Sequence, residues 1–210
     1  MTKMNSCNLS SLQLENRPSN YKYTDEELMA SFQSGNEKAY IELVNRYKDR
    51  LFNFAFQYIG DFDRSEDIVQ DTMLKVYTKK YYYKEIAKFS TWIYTIAKNL
   101  ANSEYRKIKR RKTSSFSQLS DNKEMPYLKS SDLDIDLKYE IESDIKEINK
   151  AIENLPEHFR SVIILRDIQE ESYEDISLIM DLPIGTVKSR INRARLQLRS
   201  ELINLKKKGE

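Results

Sequence analysis

One cysteine and one histidine in 210 residues leave little for metal or redox chemistry. Cys7 has no partner for an internal disulfide and there is no cysteine cluster for zinc. His158 has no second imidazole with which to hold a metal or build a triad, and it reads as a helix-surface residue. Gly-rich phosphate loops and nucleophile signatures are missing too, so the chain is expected to have no catalytic residues, no metal and no cofactor, and not to be an enzyme. Only four glycines and four prolines punctuate the chain, and no convincing strand pair can be found. No apolar run approaches membrane-spanning length, and the amino terminus lacks a signal-peptide core. The expectation is a cytoplasmic protein without membrane insertion.

What is present is helical periodicity and segregated charge. Leu, Ile, Lys, Glu and Tyr recur at helical spacing, which predicts an all-α protein. The net charge of +2 conceals two basic blocks, Arg106 to Lys112 and Lys188 to Lys208. Between them Asp132, Asp134, Asp136, Glu140, Glu142, Asp144 and Glu147 form an acidic tract. Two cationic binding surfaces on separate domains, joined by an anionic connector, account for this alternation. The expected organisation is a disordered, Asn- and Ser-rich tail over 1–22, a first helical domain over 23–110, a flexible acidic linker over 111–144, and a second helical domain over 145–204.

The strongest local pattern lies between Ser172 and Arg199. Ser172-Tyr173-Glu174-Asp175 sets a hydroxyl at a helix start and a carboxylate three residues later, as in a capping box. Asp181-Leu182-Pro183 then breaks the period, because proline lacks an amide donor and biases its predecessor away from the helical region. A second helix follows, with Ile184, Val187, Ile191, Ala194 and Leu198 on one side. Cations and short polar residues, Thr186, Lys188, Ser189, Arg190 and Arg193 among them, cover the rest. Two helices joined this tightly predict a helix-turn-helix whose second helix enters the major groove. Mixed cations and small hydrogen-bonding side chains suit both phosphates and base edges.

In the first domain Thr24-Asp25-Glu26-Glu27 opens a helix, and Gly60-Asp61 ends the apolar stripe that follows. Asp63 or Ser65 is expected to cap the next helix, which runs to about Lys80. That helix has an inward side, Ile68, Val69, Thr72, Met73, Val76 and Tyr77, and a second stripe of Asp67, Gln70, Asp71 and Leu74 at three-four-seven spacing. Periodicity is compatible with either a solvated acidic face or a docking surface. Tyr81-Tyr82-Tyr83 precede Phe89-Ser90-Thr91-Trp92 and a helix carrying Lys98, Asn99, Asn102, Arg106 and Lys107. Trp92 reads as core. The tyrosines are candidates for an exposed loop on which unpaired bases stack while cations hold the backbone.

Together these blocks resemble the bacterial sigma-70 family, in its small extracytoplasmic-function group, which keeps only the domains called region two and region four. Asp63-Arg64-Ser65-Glu66-Asp67-Ile68-Val69-Gln70-Asp71-Thr72 is similar to the helix that binds core polymerase. Phe89 to Ala101 is similar to the segment that opens and reads the minus-ten element. Ser172-Tyr173-Glu174-Asp175-Ile176 and Gly185 to Arg195 are similar to the unit that holds the minus-thirty-five element. The resemblance implies that Asp67, Gln70, Asp71 and Leu74 dock on core RNA polymerase. It implies that Tyr82, Tyr83, Lys98, Asn99, Arg106 and Lys107 meet the minus-ten element, including its single-stranded non-template strand. Thr186, Lys188, Ser189, Arg190 and Arg193 would then meet duplex promoter DNA at minus thirty-five. An anti-sigma factor covering the docking stripe is a further partner it allows. The family pattern is altered at Asp71, usually glutamate, at Met73 and Ser103, and at Asp181, a turn position often held by glycine. The alternative function is a stand-alone helix-turn-helix regulator, which leaves the Asp67 stripe without a role.

Overall fold

The computed structural model describes residues 22–114, 145 and 147–209, and no strand occurs among them. The expected tail up to residue 21 and most of the expected acidic linker, 115–144, lie outside the described residues.

The first unit begins with α1, Asp25–Gln33. Its start is a complete capping box: Thr24 Oγ1 accepts from the Glu27 amide at 3.2 Å, and the Glu27 carboxylate accepts from the Thr24 amide at 2.8 Å. Helix α2, Glu37–Ile59, lays Leu43, Tyr47, Leu51, Phe54 and Tyr58 into the core and ends at Gly60. Gly60 has φ +75°, and this left-handed turn favours glycine; a Cβ there would meet only the mobile end of the Glu153 side chain, at 2.6 Å. Helix α3, Phe62–Thr78, is capped by Asp61, not by Asp63 or Ser65 as expected. Asp61 accepts from the Arg64 amide at 3.0 Å, while Ser65 turns its hydroxyl back onto the Asp61 carbonyl at 2.5 Å. After a short 3-10 turn, Lys80–Tyr82, helix α4 runs from Phe89 to Ser114, beyond the expected domain end at 110. Phe89, Ile93, Tyr94, Ala97 and Ala101 form its buried line.

The second unit comprises α5 (147–154), α6 (Glu157–Ile163), a π-helical turn (Ile164–Ile168), α7 (Tyr173–Met180) and α8 (Ile184–Gly209). Val162, Ile163, Ile164 and Leu165 are all buried, because α6 and the turn after it are enclosed by α8 on one side and α2 on another. The π turn is marked by the Gln169 amide bonding the Ile164 carbonyl, five residues back, at 2.9 Å.

The two helical units do not stand apart. One continuous apolar cluster extends from Leu28 in α1 to Ala194 in α8. At one end of the junction Arg160, 4% exposed, donates to the carbonyl of Tyr58 at 2.7 Å and to those of Leu155 and Glu153. Its guanidinium also lies 4.9 Å from the Tyr105 ring centre. Gln57 donates to Asn149 at 2.7 Å beside it. At the other end α7 lies against α4.

Candidate nucleic-acid and partner interfaces

Helix α3 separates its two stripes cleanly. Ile68, Thr72, Met73 and Val76 are buried, and Asp67, Gln70, Asp71 and Leu74 are all exposed, Leu74 by 59%. Tyr77, expected inward, is 44% exposed. Its ring still packs on Phe32 and Tyr40 at 5.4 and 5.2 Å, because Tyr40 takes the inner place and bonds the Met73 carbonyl at 3.1 Å. Asp67, Gln70 and Asp71 border a groove whose far wall is Leu100, Ser103, Glu104 and Lys107 of α4. Arg64 joins the two walls through Glu104 at 2.6 Å. Carboxylates, an amide and an exposed leucine on one helical face can hold a cationic, partly apolar partner.

The tyrosine run divides. Tyr81 and Tyr82 are 70% and 79% exposed, with Ile86 exposed beyond them. Tyr83 is buried at 7%, which corrects the expectation that all three rings line an open loop. Its ring sits 5.3 Å from Trp92 and 5.9 Å from Phe89, and its hydroxyl donates to the Ala87 carbonyl at 2.9 Å. Burial pushes the Tyr83 phenol up to about 12. The turn is held to α1 by the Gln33 amide, which donates to the carbonyls of Lys80 and Tyr83 at 2.6 and 3.0 Å. A rigid base therefore presents Tyr81 and Tyr82 to solvent. Trp92 is half-buried at the edge of this aromatic group, so its indole is part core and part surface.

Along α4 the expected contact residues differ in accessibility. Asn99, Arg106 and Lys107 are exposed, Lys107 next to Glu104 at 3.0 Å. Lys98 is engaged: its ammonium donates to the Ile179 carbonyl of α7 at 2.9 Å, and burial lowers its pKa.

In the second unit α7 ends at Asp181, whose φ of 54° and ψ of 54° place it in the left-handed region. The Leu182 amide then bonds the Ser177 carbonyl at 3.0 Å, closing the turn. Helix α8 buries Val187, Ile191 and Ala194 against α6 and α7. This turns Lys188, Ser189 and Arg193 to solvent, with Thr186 and Arg190 half-buried beside them. Lys188 lies 5.7 Å from the Tyr173 ring centre, and Arg195 is committed to Asp167 through a bidentate pair at 3.0 and 2.5 Å. Arg195 thus positions α8 on the π turn, whereas Lys188 and Arg193 point a cationic face outward.

Sequence reasoning missed the polar residues of the junction. Asp175, read as a capping residue, does receive its part of the box: its amide donates to Ser172 Oγ at 3.0 Å. Its carboxylate, however, accepts from Lys88 Nζ at 2.8 Å and from Thr91 Oγ1 at 3.1 Å, both of the first unit. Glu171 accepts from Ser90 and Arg50, each at 3.4 Å, and the Tyr94 hydroxyl donates to Gln169 Oε1 at 2.5 Å. Burial pushes the Glu171 carboxyl up, the cations of Arg50 and Lys88 offsetting only part of this. For Asp175 burial acts in the same direction, but hydrogen bonds from Lys88, Ser172 and Thr91 outweigh it and hold the carboxyl below the usual range. The Ser172 hydroxyl also donates to this carboxylate, at 2.6 Å, so the capping pair that the sequence shows is the local part of a wider polar junction that it does not.

Comparison with known proteins fits this geometry. Residues 43–111 match the family described as Sigma-70 region 2, and residues 145–198 the family described as Sigma-70, region 4. The chain is 33% identical over 182 residues to the ECF RNA polymerase sigma-E factor of Haemophilus influenzae, covering 85% of this chain and 95% of that protein. It is 31% identical over 182 residues to the ECF RNA polymerase sigma factor SigW of Bacillus subtilis, covering 81% and 92%. Among solved structures, the sigma factor RpoE bound to the anti-sigma factor NepR from Bartonella quintana superposes with a TM-score of 0.64 at 28% identity, over 79% of this chain and 97% of that one. CnrH, in complex with the cytosolic domain of CnrY, shares the fold, with a TM-score of 0.65 at 22% identity over 86% and 97%. The chain therefore belongs to the sigma-70 family, within its extracytoplasmic-function group, and is a sigma factor that directs promoter recognition in transcription initiation.

Proposed function

We propose that the first unit docks on core RNA polymerase through Asp67, Gln70, Asp71 and Leu74. Asn99, Arg106, Lys107 and the exposed Tyr82, joined by Lys98 once it is uncovered, then meet the minus-ten element. Tyr83 has no place in that set, since its ring belongs to the core. Capturing an unpaired base offsets an unstacking cost of a few kcal/mol and so stabilises the open duplex. Thr186, Lys188, Ser189, Arg190 and Arg193 of α8 hold the minus-thirty-five duplex. The observation that carries this reading is the exposure of the whole α3 stripe on one face of a chain whose other unit turns a cationic helix outward. A stand-alone regulator would leave that stripe idle.

The chain acts in the cytoplasm without catalytic activity of its own, supplying selectivity to an enzyme it joins. No helix among the described residues is long and apolar enough to cross a membrane. An anti-sigma factor is a further partner, by analogy with the relatives solved in such complexes. The test is run-off transcription with purified core enzyme, in which promoter-dependent product is expected. Reversal of Asp67 and Asp71 to lysine is expected to weaken core binding about tenfold or more, a loss of roughly 1.4 kcal/mol or greater, while duplex binding is kept. Equal loss of both activities would remove the assigned interface.

A further inference from the structure

Helix α1 holds both ends of the turn that presents Tyr81 and Tyr82. At its last residue the Gln33 amide donates to the carbonyls of Lys80 and Tyr83, the two that bracket those rings. Lys80 answers from the other side. Its ammonium donates to the Phe32 carbonyl at 3.2 Å, where a helix end favours a cation, and lies 4.4 Å from the Phe32 ring centre and 5.2 Å from that of Tyr81. In the first turn of α1, Glu26 accepts from the Phe89 amide at 2.9 Å. First-turn amides lack a partner in their own helix, so Glu26 caps α4 from outside. Glu26 and Gln33 stand seven residues apart on one face of α1, and about 10 Å of helix spans the turn from the Lys80 carbonyl to the Phe89 amide. The helix is itself fixed: Asp25 accepts from Arg46 at 2.7 Å and from Tyr47 at 2.5 Å, both of α2. Between the two anchors Tyr81, Tyr82, Lys84, Glu85 and Ile86 are all exposed. The backbone is therefore held while the rings are left to solvent.

We propose that α1 is the positioning helix of a base-capturing turn: Gln33 and Glu26 fix its ends, Lys80 steadies Tyr81, and Tyr81 with Tyr82 stands ready to stack on one unpaired base. This rests on the assignment of the turn to the unpaired non-template strand, and it gives Tyr81 the place that Tyr83, as a core residue, does not fill. Gln33 and Glu26 touch no DNA. They act on the cost of capture: an ordered turn loses little freedom when a base stacks on it, whereas a released turn must be ordered by the base it binds. Gln33 is the decisive anchor, because one side chain holds two carbonyls.

The test uses holoenzyme reconstituted from the full chain and core RNA polymerase, with a labelled promoter fragment that the wild-type holoenzyme transcribes. Its minus-ten segment is left unpaired, and the non-template nucleotides there are replaced in turn by abasic sites. With the wild-type chain, an abasic site at the captured position is expected to weaken binding about tenfold, the size of a lost base–ring stack. Gln33→Met keeps the length and bulk of the side chain and removes the donor. It is expected to bind the intact fragment about tenfold more weakly and to show an abasic penalty below about threefold, since displaced rings no longer read that base. A merely structural loss lowers affinity for intact and abasic DNA alike and leaves their ratio unchanged. An abasic penalty undiminished in Gln33→Met, or undiminished in Tyr81→Ala, would overturn the proposal. Should Gln33→Met not fold by circular dichroism, Glu26→Ala is read in the same way, with the penalty expected to fall about threefold and an unchanged penalty again overturning it. The two failures stay apart. A wild-type chain with no sensitive position loses base capture and the role of α1 together, whereas a sensitive position indifferent to Gln33 removes only the role of α1.

Discussion

The two units bury different chemistry. The first is cored by rings, Phe32, Tyr47, Phe54, Tyr58, Phe89 and Tyr94, and the second by branched aliphatics, Ile152, Leu155, Val162 to Leu165, Ile176, Ile179, Val187 and Ile191. Aliphatic side chains end where their methyls end. Tyrosines carry a hydroxyl beyond the apolar ring, and a buried hydroxyl needs a partner. Tyr94 finds one in Gln169 of the second unit, and the Tyr58 backbone receives Arg160. The aromatic unit thus supplies polar attachment points, whereas the aliphatic unit offers a surface to be attached and a recognition helix to present.

The comparison breaks most readily in the cores. Phe54→Ala should cost about 3–5 kcal/mol and Ile191→Ala about 2–5 kcal/mol. Because one apolar cluster spans both units, Trp92 fluorescence in urea should report the loss for Ile191→Ala as well as for Phe54→Ala. A Trp92 transition unmoved by Ile191→Ala would mean that the units melt independently. Next in size is Arg160→Met, expected at about 3 kcal/mol, since it deprives the carbonyls of Tyr58, Glu153 and Leu155 of a charged donor; urea midpoints measure it.

A smaller effect concerns pH. Asp175 binds its proton less readily folded than unfolded, so its contribution is present above the ordinary aspartate range and fades as the pH falls through its lowered value. Glu171 has the opposite sign: its raised value favours the folded state at low pH, and that advantage fades as the pH climbs past the ordinary glutamate range. Urea midpoints of Glu171→Gln should therefore fall less steeply than wild type above that range, and those of Asp175→Asn should rise less steeply below the aspartate range. Parallel curves for all three proteins would contradict the assignment. Smallest are the caps: Thr24→Ala and Ser172→Ala should each cost about 1 kcal/mol. Only Ser172→Ala should also speed acylation of Lys88, because Ser172 holds the carboxylate that Lys88 binds.

Helices, caps and both exposed stripes could be read from the chain because they depend on neighbours within a turn or two. Thr24 with Glu27, Ser172 with the Asp175 amide, and the face shared by Asp67, Gln70, Asp71 and Leu74 are all local relations. Tyr83 was misread because adjacent tyrosines look alike in sequence, and only the path of the 3-10 turn decides which ring folds inward. The junction escaped for a different reason. Its residues are polar, distant in sequence and irregular in spacing, so no period marks them, and the acidic tract suggested separation where the folded units touch.

The π turn carries one last consequence, for the chain's tolerance of insertion and loss. A single residue removed from Ile164 to Ile168 would let the segment rewind as an ordinary α-helix and rotate everything after it by about 100°. Gln169 and Glu171 would swing off Tyr94 and Ser90 while Val162 and Ile163 kept their seats. Length variation at this one bend would therefore both uncouple the halves of the molecule and carry α8 off α6, the packing that cores the second unit.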